Sequence, residues 1–93
     1  MSHINYSSKF LKNFKKLDNN LKKKAVAKIK VFENNPRNAS LRTHKLSGQL
    51  DELFSFSVDY SYRIIFVFEV NGEVTLIDIG THSIYQLVFE FAL

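Results

Sequence analysis

The stretch that decides the fold is YRIIFVFEVNGEVTLIDIGTH, residues 62–82. Two runs rich in β-branched and aromatic residues flank the pair Asn71-Gly72. Such a pair is the strongest short-range signal for a two-residue turn, in which both positions need positive φ. The stretch therefore predicts a β-hairpin with strands over residues 62–70 and 73–82.

A two-residue turn also sets which residues face each other across the hairpin. The expected pairs are Val70 with Glu73, Phe68 with Thr75, Phe66 with Ile77, Ile64 with Ile79, and Arg63 with Gly80. Because side chains alternate between the faces of a strand, Arg63, Asp78 and His82 share one face. His82 is then the diagonal neighbour of Arg63, and Gly80 leaves room beside it. A bulge near Gly80 would move His82 to the other face.

Length and composition predict one folded domain over residues 1–93, since 45% of the residues are hydrophobic and 14% are aromatic. The absence of cysteine excludes disulfides and thiolate metal sites and favours a reducing compartment. No apolar run approaches the ~20 residues that cross a bilayer, and the first residues do not form a signal peptide. We expect a cytoplasmic protein without a membrane partner.

Positive charge is concentrated in the first half of the chain. Residues 1–50 carry 12 Lys and Arg against two acidic residues, a net charge of +10. Residues 51–93 carry Arg63 against seven acidic residues, a net charge of −6. This asymmetry favours a nucleic-acid or acidic-protein partner. The alternative is a solvated lysine face with no specific partner.

The first 36 residues predict a short edge strand and two helices. Residues 3–6 alternate with period two, and Ser7 can cap the helix that follows. Two apolar stripes at helical spacing, separated by residues 18–20, are Phe10, Leu11, Phe14 and Leu17, then Leu21, Ala25, Ile29 and Phe32. Pro36 ends the second helix near Asn34. The two segments are expected to form an αα-hairpin.

The remaining segments complete an α+β fold. Residues 37–52 read as a long polar connector, and residues 53–59 alternate as an amphipathic strand. A turn at residues 59–61 would join that strand to the hairpin in a mainly antiparallel sheet. Both hairpin faces are apolar, so the helices can cover one face and the C-terminal tail or a partner must cover the other. The tail, residues 84–93, fits a short helix or a strand.

The polar residues are compatible with metal-independent RNA cleavage. Phosphate loops, zinc-binding histidine pairs and serine-hydrolase motifs are absent, so we expect no metal and no cofactor. Cleavage needs groups that move protons and a cation for the phosphoryl oxygens. Arg63 suits the phosphate and His82 suits proton transfer. The alternatives are an Arg63–Asp78 ion pair and, for His82, a surface or capping role.

Two lysine-rich helices followed by HKLSG (44–48), YRIIF (62–66) and DIGTH (78–82) resemble the RelE/ParE superfamily of type II toxin–antitoxin toxins. The resemblance covers nearly the whole chain. It implies a RelE-like sheet with two packed helices and a concave face that enters the ribosomal A site. RelE-like and YafQ-like members cut translated mRNA there without metal and leave a 2′,3′-cyclic phosphate.

When the roles of the family's residues are transferred to the matching positions, the resemblance implies that Arg63 binds the phosphate and that His82 is the acid–base residue. His44 matches a loop histidine of the YafQ-like branch, and Tyr85 lies near a common tyrosine or phenylalanine. From the residues alone, His44 can equally be a plain loop residue and Tyr85 a packing residue. The basic half supplies the candidate RNA-binding residues Lys45, Arg42, Arg37, Lys12 and Lys16.

The sequence also departs from the YafQ-like branch. Ser57 stands where that branch has a histidine, Ser61-Tyr62 where it has Asp-Trp, and Asp78 where it has an arginine. The alternative functions are a ParE-like toxin that inhibits DNA gyrase and an inactive domain that binds RNA or antitoxin. Under either toxin reading we expect a hetero-oligomer with an acidic, amphipathic antitoxin, and for the nuclease also the ribosome and mRNA.

Overall fold

The structure is a computed structural model that describes residues 3–46 and 52–84. Its helices and strands, in chain order, are β1 (Ile4–Tyr6), α1 (Ser8–Lys15), α2 (Asn19–Asn34), a 3-10 turn (Ala39–Leu41), β2 (His44–Lys45), β3 (Leu53–Ser57), β4 (Arg63–Phe68) and β5 (Val74–Gly80). The strands form one sheet in the order β1-β5-β4-β3-β2. β1 runs parallel to β5 and the other pairs are antiparallel. The predicted α+β class and mainly antiparallel sheet are confirmed.

Side-chain caps start both helices where the sequence predicts helical segments. Ser7 Oγ accepts the backbone N–H of Phe10 at 3.0 Å, and Asp18 Oδ1 accepts that of Leu21 at 2.8 Å. Helix α2 ends at Asn34, two residues before Pro36, as predicted. The Ser7 cap was predicted from the sequence, whereas residues 18–20 were expected only to separate the two helices and the Asp18 cap was not predicted.

The helices bury their apolar stripes on one face of the sheet. All four residues of the α2 stripe are buried, and Phe10 is the buried residue of α1. The ring of Phe32 lies 4.8 Å from the rings of both Phe56 and Phe66, stacked on the first and edge-on to the second. The α2 helix is thereby packed against the middle of β3 and β4.

The hairpin turn differs from the prediction. Phe68 pairs with Val74, and the backbone N–H of Glu69 donates to the carbonyl of Glu73 at 2.8 Å, so three residues form the loop. Gly72 has a φ of +85°, while Asn71 is not in the positive-φ region. A three-residue loop with glycine in the left-handed position is the next most common hairpin connection. The predicted two-residue turn is therefore wrong, although the hairpin itself is confirmed.

The longer loop shifts the hairpin register by one residue near the turn. Phe66 pairs with Leu76 instead of Ile77. A one-residue slip moves side chains to the opposite face. Val74 and Leu76 consequently join Ile64 and Phe66 in the core under the helices, and not on the other face as predicted.

A β-bulge then restores the predicted register. It lies between Ile65 and Phe66, where β5 contains one residue more than β4. Beyond it, Ile64 pairs with Ile79 and Arg63 with Gly80, as the sequence analysis expected. The shift introduced by the loop and the shift introduced by the bulge cancel at the end of the hairpin that carries Arg63.

The polar connector contains structure that the sequence analysis missed. It includes the 3-10 turn and strand β2, in which His44 pairs with Ser55 on β3. Arg42, between them, has a φ of 50°. The connector therefore adds an edge strand to the sheet. The tail beyond residue 84, predicted to be a helix or a strand, lies outside the described residues.

Candidate active site

Arg63 begins β4 and lies between Ser57 on β3 and Gly80 on β5. Its Nη1 donates a hydrogen bond to the Ser57 hydroxyl oxygen. Its buried Nε has no hydrogen-bond partner within the part of the chain that the structure describes. The half-buried guanidinium is thus anchored at one nitrogen, and an arginine has further N–H donors with which to bind an anion.

Arg63 and His82 line one open cleft of about 410 Å³. We call it the His82 cleft, and its lining residues are Tyr60, Ser61, Arg63, Thr81 and His82. A turn after β5 positions the histidine, because the backbone N–H of Ile84 donates to the Thr81 carbonyl at 3.0 Å. The structure therefore brings Arg63 and His82 to one cleft, as expected, but the predicted strand to residue 82 ends at Gly80, and the turn rather than the strand register positions the histidine.

The space beside Gly80 is not empty. A Cβ at Gly80 would overlap the side chain of Ile84, which is buried. The expectation that Gly80 leaves room beside Arg63 is wrong for this reason. The glycine instead lets the turn that carries His82 fold back against the end of β5.

Asp78 does not form the ion pair with Arg63 that the sequence offered as an alternative. Its carboxylate, 0% exposed, accepts a hydrogen bond from Asn13 Nδ2 at 2.6 Å and lies 3.5 Å from Lys9 Nζ, both on α1. It also accepts from the backbone N–H of Ile79 at 2.8 Å. Asp78 therefore ties α1 to the sheet. Between residues that the structure describes, Arg63 forms no salt bridge.

His44 shares a sheet face with Arg63 but lies outside the His82 cleft. The registers place His44, Ser55, Ser57 and Arg63 on one face across β2, β3 and β4. Strand spacing and rise put the Cα atoms of His44 and Arg63 roughly 12 Å apart. The exposed His44 ring lies 3.5 Å from the Ser55 hydroxyl and 3.3 Å from the Arg42 carbonyl oxygen. His44 is therefore not among the residues that line the cleft with His82.

A second cleft, of about 300 Å³, lies on another side of Arg63. We call it the Arg42 cleft, and it is lined by Lys28, Ser40, Arg42, Ser57, Val58, Asp59, Tyr60 and Arg63. Of the candidate RNA-binding residues, Arg42 lies here. Lys28 and Tyr60 also line this cleft but were not predicted as site residues from the sequence. An aromatic residue at the tip of a polar turn was the available signal for Tyr60.

The other candidate residues lie elsewhere. Arg37, Lys45, Lys12 and Lys16 are exposed and line neither cleft. Lys45 follows His44 on the edge strand β2, so its side chain lies on the opposite face of the sheet from His44. Tyr85 lies outside the described residues.

The two clefts combine groups that can bind a phosphodiester and move a proton. Arginine donates to phosphate oxygens in a planar fork, and an imidazole can accept and donate protons. Among residues 3–46 and 52–84, no three His, Asp or Glu side chains are grouped so that they could hold a metal ion. No helix in these residues is long and apolar enough to cross a membrane.

A separate apolar groove lies between α1 and α2. This helix groove, of about 310 Å³, is lined by Tyr6, Phe10, Leu11, Phe14, Val26, Ile29, Lys30 and Glu33. A neighbouring cavity of about 420 Å³ shares Phe14, Val26 and Lys30 with it and adds Lys22 and Lys23. Burial, and secondarily the negative charge of Glu33, raise the pKa of the Tyr6 phenol. The helix groove is thus a mainly apolar surface whose charged lining residues are Lys30 and Glu33, and the additional lysines belong to the neighbouring cavity.

No protein-family model and no curated relative matches the chain. Solved structures do match. YafQ from E. coli strain BL21(DE3) superposes with a TM-score of 0.74 at 20% identity, over 91% of this chain and 98% of that chain. A YoeB/ParE toxin from Agrobacterium tumefaciens has a TM-score of 0.73 at 12% identity, over 86% and 98% of the two chains.

A third match comes from the intact E. coli RelBE toxin–antitoxin complex. Its TM-score is 0.68 at 19% identity, over 87% of this chain and 96% of that chain. The chain therefore has the fold of these toxins, and the RelE/ParE-like architecture expected from the sequence motifs is confirmed.

Proposed function

We propose that the chain is the toxin of a type II toxin–antitoxin system and cleaves translated mRNA in the ribosomal A site. The observation that carries the proposal is the meeting of Arg63 and His82 in one cleft of a RelE-like fold. YafQ and the toxin of the RelBE complex share that fold at 19–20% identity. The RNA chemistry rests on the site residues, because likeness at that level of identity concerns the fold alone.

In the proposed reaction, a base removes the proton of a ribose 2′-hydroxyl, and O2′ attacks the adjacent phosphorus. The bond from phosphorus to O5′ breaks, and an acid protonates the leaving oxygen. The products are a 2′,3′-cyclic phosphate and a 5′-hydroxyl. Arg63 binds the non-bridging oxygens as their charge increases, and His82 acts as general acid or base. His44, which shares a sheet face with Arg63, contacts flanking RNA and assists its positioning.

The test is primer extension across a translated mRNA after brief induction of the chain. The wild type should produce new ends within the reading frame. His82→Ala should abolish them, and Arg63→Ala should slow cleavage at least 100-fold, as loss of an oxyanion donor does. His3→Ala is the matched control, because His3 is exposed and lies in neither cleft. Unchanged cleavage in Arg63→Ala would remove Arg63 from the mechanism.

The other functions give different results in the same experiment. Growth arrest with intact mRNA and damaged DNA would indicate a gyrase inhibitor. RNA affinity that falls steeply with salt, without cleavage products, would indicate an inactive binding domain. Either result would return His82 to a structural role.

The proposal includes an antitoxin that occupies the helix groove. Leu11 and Val26 are 45% and 41% exposed, and both line this one groove. Exposed apolar residues that are grouped in a groove are typical of interaction sites. Lysines 22, 23 and 30 line the groove and its neighbouring cavity. An amphipathic helix with acidic flanks matches both features. One of the matching structures, RelBE, is a toxin–antitoxin complex.

Charge and polarity changes in the groove test this partner. We expect a neighbouring gene to encode the antitoxin. Val26→Asp and Lys30→Glu should let the chain arrest growth even when that antitoxin is co-expressed, because neutralisation requires binding. Val70→Asp is the control, since Val70 is exposed at the hairpin tip. Neutralisation of all three variants to the same degree would place the antitoxin elsewhere.

A further inference from the structure

Tyr60 and Arg63 form the wall that the two clefts share. The Tyr60 side chain is 94% exposed, so burial does not account for an aromatic ring at this position. It occupies the turn between β3 and β4, three residues before the guanidinium that the proposed mechanism uses. A fully exposed ring beside a phosphate-binding arginine is suited to stacking on a nucleobase.

The turn that carries Tyr60 is held firmly. Asp59 Oδ1 accepts the backbone N–H groups of Ser61 at 2.9 Å and Tyr62 at 2.8 Å. The other Asp59 oxygen lies 3.8 Å from Lys24 Nζ, which links the turn to α2. The backbone N–H of Val58 donates to the Tyr62 carbonyl at 2.9 Å and closes the turn. The ring is therefore presented on a pre-organised backbone, which lowers the entropy lost on binding.

The Arg42 cleft has the charge to bind a second phosphate. It is lined by Arg42, Lys28 and Arg63, and Asp59 is the acidic residue among its lining side chains. The negative charge of Asp59 is partly offset by Lys24. Lys28 is held over the cleft by a hydrogen bond from its Nζ to the Ser40 carbonyl at 3.2 Å. Cations in this arrangement favour a polyanion that continues past Arg63.

We propose that single-stranded RNA crosses both clefts, with a base adjacent to the scissile phosphate stacked on Tyr60 and the next phosphate bound by Arg42 and Lys28. This inference rests on the proposed function and extends it from one phosphate to at least two consecutive nucleotides. Stacking on Tyr60 is tolerant of sequence, because every base has a π-face. A phosphate contact in the Arg42 cleft reads no base either. Both contacts therefore add affinity and position the RNA without selecting a codon.

The test uses ribosomes programmed with an mRNA whose A-site codon is 2′-O-methylated, which blocks cleavage, and carries 2-aminopurine at one position at a time. Wild type and Tyr60→Phe should quench 2-aminopurine at one position. Tyr60→Leu should restore its fluorescence and weaken binding by about 5- to 150-fold, the range found when one base–aromatic stack is removed.

Arg42→Gln tests the phosphate contact without adding backbone strain, because glutamine replaces arginine at the same positive φ. It should weaken binding and leave the quenched position unchanged. Equal binding and quenching by wild type and Tyr60→Leu would overturn the stacking proposal while unmethylated mRNA is still cleaved by the wild type. Failure of the wild type to cleave unmethylated mRNA would instead overturn the proposed function.

Discussion

At the scale of single residues, the site depends on how the end of the hairpin is held. The Ser57 hydroxyl accepts a hydrogen bond from the Arg63 guanidinium. Because Gly80 has no side chain, Ile84 can pack directly against it. Asp78 pairs with Ile65, two residues from Arg63, but its carboxylate interacts with Asn13 and Lys9 on α1. The buried carboxylate therefore stabilises the helix–sheet contact and leaves Arg63 available for an anionic ligand.

Replacing Gly80 by alanine should destabilise the fold. The new methyl group would overlap the Ile84 side chain. Overpacking of this kind costs about 1–3 kcal/mol of unfolding free energy, which urea denaturation measures. In an Ile84→Ala background most of the cost should disappear, because the overlapping group is gone. Equal costs in the two backgrounds would show that Ile84 is not the cause.

At the scale of elements, the parallel contact between β1 and β5 places α1 next to the sheet. The backbone N–H of Ser7 donates to the Leu76 carbonyl at 3.0 Å, and its hydroxyl donates to the Ile77 carbonyl at 2.6 Å. The same hydroxyl oxygen caps α1. One serine therefore fixes both the end of β1 and the start of α1.

The same edge predicts a pH dependence. A hydrogen bond from Asn5 Nδ2, 3.0 Å long, is the main cause that lowers the pKa of Glu73, and smaller contributions come from His3 and Asn71 against the opposing effect of burial. A carboxylate whose pKa is lower in the folded state stabilises the fold above its ordinary pKa. That contribution is lost as pH falls through the folded-state pKa.

Asn5→Ala should therefore raise the pKa of Glu73 toward its ordinary value, as followed by NMR titration of the carboxyl carbon. The stability difference between wild type and Asn5→Ala should be largest above the ordinary glutamate pKa and shrink on acidification. Glu73→Gln, which does not titrate, should remove this pH dependence. An unchanged Glu73 pKa in Asn5→Ala would contradict the assignment.

At the scale of the whole molecule, two surfaces contain basic residues from the positively charged first half of the chain. Lys28 and Arg42 line the Arg42 cleft, while lysines 22, 23 and 30 line the helix groove or its neighbouring cavity. The proposed RNA and the proposed antitoxin thus bind different cationic surfaces on one domain. An acidic antitoxin on the second surface would also weaken the electrostatic attraction of RNA to the first.

Affinity for 2′-O-methylated RNA should fall steeply as salt rises, with a log–log slope near −0.7 for each phosphate neutralised. Arg42→Gln should reduce the magnitude of the slope by about 0.7. Lys23→Gln changes the net charge equally but lies on the cavity beside the helix groove, so its slope should match the wild type. A common slope for all three proteins would mean that Arg42 does not contact a phosphate.

The local signals of the sequence determined the helices, the hairpin and four of the five strands found in the described part of the chain. Ser7 and the apolar stripes define the helices, and the alternation of residues 53–59 defines β3, because capping, periodicity and alternation depend on near neighbours. The sequence did not determine the length of the hairpin loop, because an Asn-Gly pair fits both a two-residue and a three-residue loop. It did not determine the bulge at Ile65 either, because bulges depend on packing. The pairing of Arg63 with Gly80 was predicted correctly because the two register shifts cancel, whereas His82 lies in a turn beyond the end of β5.

Only the tertiary structure decided what surrounds Arg63. Strand β2 is two residues long, too short for alternation to indicate it, and forms because β3 offers it an edge. Lys28 and Tyr60 meet at the Arg42 cleft from α2 and from a turn more than 30 residues further along the chain. The sequence by itself therefore determined the elements and the pairing of Arg63 with Gly80. The clefts required packing between distant segments, which no local pattern encodes.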